Sequence, residues 1–196
     1  MEFTQKQNLR ILCALLILTV VTQALYTALY SYASDLPRLW LWRLEGLIFI
    51  VLAVIAGTAL AQAKSYTLGF SAILISAVFN FLQVGIGLTQ FGPFREVGQD
   101  VAGAAPVIGA IVGFSFFIYN GAKILLGIAA IVFGSAVSQN GSKILGRLTA
   151  LVGVIALLAN TIVIMFGSIK GLPSGAVGVV ATLLLAVCLL KLQSED

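Results

Sequence analysis

The sequence predicts an all-α, polytopic integral membrane protein with six transmembrane helices and a parallel internal repeat of a helical hairpin. Of its 196 residues, 60% are hydrophobic and only 9% are charged, against about 25% charged in a soluble domain. A chain this short cannot bury so much apolar surface in its own core, so lipid must cover most of it. We therefore expect residues 1–196 to form a single transmembrane helical domain.

The second observation is a repeat, in which residues 53–69 match residues 130–146 without a gap. Seven of the 17 aligned positions are identical, at an offset of 77 residues. In each copy an apolar segment ends, a short polar turn follows and a second apolar segment begins, which describes a helical hairpin. Helices two and three should therefore correspond to helices four and five.

The first three helices follow from apolar segments separated by polar turns. The first segment is longer than the roughly 7–15 apolar residues of a signal peptide, so we expect it to be retained as a helix. A loop marked by Asp35 and Pro37 separates it from the second segment. The predicted helices cover residues 10–30, 39–61 and 67–90.

Residues 106–138 form one apolar run that is longer than a single untilted span requires. About 20 residues suffice to cross a membrane. The repeat assigns residues 114–137 to helix four and leaves 106–113 as an extension or a re-entrant piece. The alternative is two short helices divided at Asn120-Gly121, which gives seven spans. Residues 91–105 form the longest connection, for which we expect a short interfacial helix.

Helices five and six complete the set at residues 147–168 and 174–190. Six spans place both termini on one side of the membrane. Basic residues favour the cytoplasmic side of a cell membrane, and that side would carry six of them against four on the other. We therefore predict that both termini are cytoplasmic. The six are Lys6, Arg10, Lys64, Lys143, Arg147 and Lys191.

Small residues recur every four positions on helices two and four. In lipid, close approach of two backbones is what makes helix contact favourable. The stripes favour internal packing between helices two and four, and an oligomer interface is the alternative. The two stripes are Ala53, Gly57 and Ala61, and Ala130, Gly134 and Ser138.

Polar residues inside the predicted spans lie at their centres or in their outer halves. Charged groups at such depth are costly and face protein or water, so we predict a polar pocket open to the outer face, with Glu45 close to Lys123. The alternative is that the amides only join helices. The candidates are Gln23, Glu45, Asn80, Gln83, Asn120, Lys123 and Asn160.

Several functions are disfavoured by what the sequence lacks. It has no histidine, hence neither the commonest metal ligand nor the usual general base, and it has no basic run to follow a nucleic acid. Cys13 and Cys188 form no disulfide framework. We expect no enzyme, metal site, cofactor or nucleic-acid partner.

Two functional hypotheses remain. The first is a small transporter, channel or solute-binding protein that uses the polar pocket. The second is a non-catalytic accessory, scaffold or stress-response membrane protein that acts through helix packing and assembly. In both, the expected partners are the lipid bilayer and either further copies of the chain or another membrane protein.

Overall fold

The computed structural model describes residues 3–33, 35–101, 103–167, 169 and 171–193, and their regular structure is helical throughout. Six helices in this part of the chain are long and apolar enough to cross a membrane, which confirms the predicted number. They are α1 (Gln5–Tyr32), α2 (Leu39–Gln62), α3 (Thr67–Asp100), α4 (Ala104–Asn140), α5 (Lys143–Phe166) and α6 (Ser174–Gln193).

Helix α1 begins five residues before its predicted start because a capping box precedes it. The Gln7 backbone N–H donates to Thr4 Oγ1 at 3.3 Å, and the Thr4 backbone N–H donates to Gln7 Oε1 at 2.9 Å. These bonds satisfy backbone donors that would otherwise lack partners in the first turn. The polar residues before the apolar run therefore belong to the helix.

The predicted connection at residues 91–105 is mostly helical, because α3 continues through Pro93 to Asp100. Helix α4 starts at Ala104, so residues 106–113 extend helix four, and the alternative of a break at Asn120-Gly121 is wrong. The two helices are about 50 Å long or more at ~1.5 Å per residue, which exceeds an apolar layer of about 30 Å. The polar stretch at residues 91–100 is therefore the end of α3 that projects beyond that thickness, rather than a separate interfacial helix.

The helices form a ring of five with one helix outside it. Helices α1, α2, α3, α4 and α6 are neighbours in that order, α6 returns to α1, and α5 packs against α4 and α6. Asn8 at the start of α1 donates to Gln62 at the end of α2, at 2.9 Å. We call the end with the starts of α1, α3 and α5 the terminal end, and the other the distal end.

Helices α4 and α5 make the closest contact, through paired glycines. A Cβ atom on Gly127 would lie 2.8 Å from the carbonyl oxygen of Gly153, and one on Gly134 would lie 2.7 Å from that of Gly146. The glycines are seven residues apart on each helix, so both pairs fall on one shared face. Close backbone approach of this kind is how apolar helices pack without a hydrophobic driving force.

The small-residue stripes do not pack as predicted. Among the described residues, no Cα atom of α2 comes within 8 Å of one in α4. In α2, Ala53 and Gly57 are half-buried and Ala61 is exposed. In α4, Ala130 and Gly134 are buried and Ser138 is half-buried; this stripe packs on α5. The predicted contact of helix two with helix four is wrong, because each of them pairs with the next helix of its own hairpin.

Large apolar side chains face outward along all six helices. Val54 of α2 is 63% exposed and Leu151 of α5 is 58% exposed, although both lie near the middle of their helices. A soluble monomer rarely exposes a continuous apolar surface of this extent. The outer surface of the described bundle is therefore compatible with a multi-pass membrane protein.

Candidate functional site

Three of the predicted pocket residues meet inside the ring. Gln23, Glu45 and Lys123 lie 17 or 18 residues from the terminal ends of α1, α2 and α4, which places all three about 26 Å from that end at ~1.5 Å per residue. Thr22 and Tyr119 lie beside the Glu45 carboxyl and interact with it. We call Thr22, Gln23, Glu45, Tyr119 and Lys123 the charged cluster.

Lys123 points into the protein, as predicted, and is only 2% exposed. Its Nζ donates to Gln23 Oε1 at 3.1 Å and lies 5.0 Å from the centroid of the Tyr119 ring. An ammonium group has three donors, and an aromatic face attracts a cation most strongly where water is excluded. The cluster therefore holds the cation but leaves part of its hydrogen-bonding capacity unused.

A glycine on α6 makes the position of Lys123 possible. A Cβ atom on Gly178 would lie 2.9 Å from Lys123 Cδ and 3.1 Å from its Cγ. The aliphatic part of the lysine thus crosses α6 where that helix has no side chain. Sequence reasoning missed Gly178, because nothing in α6 points to it, and missed Tyr119, whose position one helical turn before Lys123 could have suggested it.

Glu45 is buried at 4% exposure, and its Oε1 has no hydrogen-bond partner among the described residues. It lies within electrostatic reach of Lys123. The distance from Lys123 Nζ to the Glu45 carboxylate oxygens exceeds 4.0 Å, so the two side chains do not form an ion pair. Two opposite charges therefore share one apolar interior without neutralising each other by contact.

The other four predicted residues are used elsewhere. Asn80 Nδ2 donates to the Ser76 carbonyl, Asn120 Nδ2 to that of Phe116 and Asn160 Nδ2 to those of Ala156 and Ser174, while Gln83 Nε2 donates to Ser115 Oγ at 3.4 Å. Asn160 belongs to α5, outside the ring. Their bonds join turns or neighbouring helices, so these four amides are not members of the charged cluster.

Aromatic rings lie on both sides of the charged cluster along the ring axis. On the distal side, Trp42 stacks on Tyr26 with centroids 5.1 Å apart and meets Phe91 edge-on at 6.2 Å. On the terminal side, Phe70 meets Phe133 edge-on at 5.0 Å. The cluster therefore lies between two groups of aromatic rings along the length of the bundle.

A cavity of about 620 Å³ lies at the terminal end. Each helix of the five-membered ring contributes to its wall, which places it on the ring axis. Lys64 and Ser65 are exposed at its rim, so it opens at that end, opposite to the outer face where a pocket was predicted. The contributing residues of the ring helices are Leu9, Gln62, Phe70, Phe133 and Leu192, with Gln5 and Asn140 nearer the rim.

No protein-family model, curated protein or solved structure matches this chain. In the described residues, no group of three or more His, Cys, Asp or Glu side chains converges as a metal site would require. Function must therefore be argued from the charged cluster and the cavity.

Proposed function

We propose that this chain is a small membrane transporter whose solute binds at the charged cluster. The observation that carries this is the separation of Glu45 and Lys123, which are both buried but do not form an ion pair. Burying two charges that are not paired with each other is costly, and charges within membrane spans usually mark a solute or ion pathway.

The chemistry of the cluster favours a small zwitterionic solute. Glu45 Oε1 has no donor among the described residues, and Lys123 Nζ donates a hydrogen bond to Gln23 Oε1. A solute with an ammonium group and a carboxylate would supply the missing donor and acceptor together. Each of its charges would face the opposite charge of the protein, so both buried charges would gain a partner in direct contact.

The setting that we propose is a cell membrane, with both termini in the cytoplasm. The terminal end would then face the cytoplasm, as the excess of basic residues there favours, and the cavity would open to it. The bilayer is the proposed partner of the apolar outer surface. Association with further copies of the chain stays a prediction, as does the absence of catalysis, cofactor and nucleic acid.

Uptake into liposomes tests this proposal. The purified chain is reconstituted and supplied with radiolabelled alanine as a zwitterion, ethylammonium as a cation or acetate as an anion. We expect alanine to accumulate with the wild-type chain and not with the Glu45→Gln/Lys123→Met double variant. If none of the three probes enters faster than into empty liposomes, the proposal is wrong and the accessory or scaffold hypothesis gains support. Full uptake of alanine by the double variant would refute the charged cluster as the binding site.

A further inference from the structure

Helix α3 carries two glycines, Gly69 and Gly87, that each make room for an aromatic ring. A Cβ atom on Gly69 would lie 2.6 Å from Phe133 Cε2, and one on Gly87 would overlap the ring of Trp42. The two glycines are 18 residues apart, which is five helical turns at ~3.6 residues per turn. They therefore lie on the same face of α3, and both positions are buried.

Each of these glycines is the seat of one aromatic ring, and the two seats lie on opposite sides of the charged cluster along the bundle. Trp42 precedes Glu45 by about one turn of α2, on the distal side. Phe133 is seven residues from the terminal end of α4, about 15 Å from the level of the cluster at ~1.5 Å per residue. Each ring reaches α3 from the helix beside it, Phe133 from α4 and Trp42 from α2.

The Phe133 ring also forms part of the floor of the cavity. Phe70 and Phe133 both line the cavity and both are almost fully buried. Their edge-on contact is joined by Tyr66, whose ring centroid lies 6.0 Å from that of Phe133. Beyond this floor the ring interior is packed with apolar side chains, among them Leu12, Cys13 and Leu52. The cavity thus ends where the aromatic rings begin.

We propose that the cavity is the terminal-end entrance to the charged cluster, and that Phe133, seated on Gly69, is the gate that closes it. The inference rests on the proposed transport function, since an entrance needs a site to serve. A small polar solute would wait in the cavity, and departure of the Phe133 ring from its seat would be the first step of its passage through the apolar core to Glu45 and Lys123.

Cys13 is a natural reporter of this gate. It follows Leu9, which lines the cavity, by one turn on the same face of α1. It is 2% exposed and belongs to the same apolar core as Phe133. A buried thiol in apolar surroundings reacts slowly, because the reactive form is the thiolate. Its labelling rate therefore measures how often water and reagent pass the floor of the cavity.

The experiment measures labelling of Cys13 in phospholipid nanodiscs, with Cys188→Ala removing the second thiol. The probe is a membrane-impermeant trimethylammonium methanethiosulfonate. We expect Phe133→Ala to accelerate labelling on the order of tenfold or more, because a reactive thiol requires access. Gly69→Ala should do the same by pushing the ring from its seat.

Two matched controls should leave the labelling rate unchanged. Phe117→Ala removes a ring from the same helix, but that ring is 55% exposed. Gly57→Ala adds a methyl group whose nearest neighbour, Leu74 Cδ1, would be 4.0 Å away. If Phe133→Ala does not fold, Phe133→Leu and Gly69→Ala carry the test. Unchanged labelling in the folded gate variants, or equal acceleration in Phe117→Ala, would overturn the gate.

Uptake measured on the same proteins separates the two proposals. Faster labelling without uptake of any probe by the wild-type chain would support the entrance and refute the transport function. Uptake by the wild-type chain, with labelling that does not respond to Phe133 or Gly69, would support transport and refute this gate.

Discussion

At the scale of single residues, the position of Lys123 depends on the absence of a side chain at one position of α6. Its stem passes Gly178 and its Nζ reaches Gln23 at 3.1 Å. The position of the lysine side chain therefore depends on the glycine, although the two residues lie 55 positions apart in the sequence.

Gly178→Ala tests whether Lys123 needs a glycine at this position of α6. The added methyl group would lie 2.9 Å from Lys123 Cδ, so we expect the lysine to move and the chain to lose roughly 1–3 kcal/mol of stability, as overpacked cores do. Thermal unfolding in nanodiscs measures the change. Gly175→Ala is the matched control, because its methyl group would meet Tyr119 Oη at an ordinary 3.6 Å. Equal effects of the two changes would contradict the role given to Gly178.

A double-mutant cycle tests whether Glu45 and Lys123 balance each other. We expect Glu45→Gln and Lys123→Met each to be more harmful than the two changes together, because one change leaves the other charge uncompensated in the interior. Breaking a buried pair in this way costs about 3–5 kcal/mol, and the greater separation seen here should bring the cost below that range. Unfolding in detergent measures it, and additive effects would show that the two charges are independent.

At the scale of helices, two stripes that look alike in sequence have different partners. Gly134 lies against the backbone of α5, whereas Gly57 has room around it. The neighbouring position also differs between the copies, because the repeat aligns Phe133, which packs on Gly69 of α3, with Ala56.

Leucine at the two glycines should reveal this asymmetry. We expect Gly134→Leu to prevent folding or to destabilise the chain by more than 4 kcal/mol, the exceptional end of single substitutions, because the backbones of α4 and α5 would have to separate. Gly57→Leu should cost about 1 kcal/mol or less. The yield of monodisperse protein and its unfolding temperature measure both. A similar loss of stability in the two variants would contradict this asymmetry and would agree with the equivalence of Gly57 and Gly134 that the repeat suggests.

Much of the helical arrangement could be predicted because hydropathy and turn residues act locally. The starts of α2, α3 and α6 fall at Leu39, Thr67 and Ser174, as the sequence indicated. The extension of α3 past Pro93 could not be predicted, because a polar helix that projects beyond an apolar layer has the composition of a loop. The caps at Thr4 and Gln7 were also missed, although their spacing is a recognised signal.

At the scale of the whole molecule, the depth of the polar residues along the helices was predictable, whereas the choice of neighbouring helices was not. Counting residues along each span placed Gln23, Glu45 and Lys123 at the centre or in the outer half of the membrane, because all helices share the same rise. Which helices adjoin depends on side-chain fit across the bundle, which no local pattern records. The ring closed by α1 and α6, the exclusion of α5 and the cavity at the terminal end follow from that fit.

Cysteine accessibility tests the proposed orientation of the whole chain. Gln62→Cys and Asn140→Cys, in a background without Cys13 and Cys188, should both react with an impermeant maleimide only from the cytoplasmic side. Tyr32→Cys is the control for the other side, because Tyr32 is 92% exposed at the distal end. Labelling of residue 62 or 140 from outside would reverse the orientation, and labelling from opposite sides would contradict the six-helix arrangement itself.

The hydrogen bond between Ser76 Oγ and the Ala122 carbonyl, at 2.9 Å, fixes α3 to α4 close to the midpoint between Gly69 and Gly87. A rigid α3 that pivots on this bond would carry Gly69 and Gly87 in opposite directions, because they lie on either side of it. The contacts of Phe133 and Trp42 with α3 are therefore linked mechanically through a single helix, although the two rings belong to different neighbouring helices.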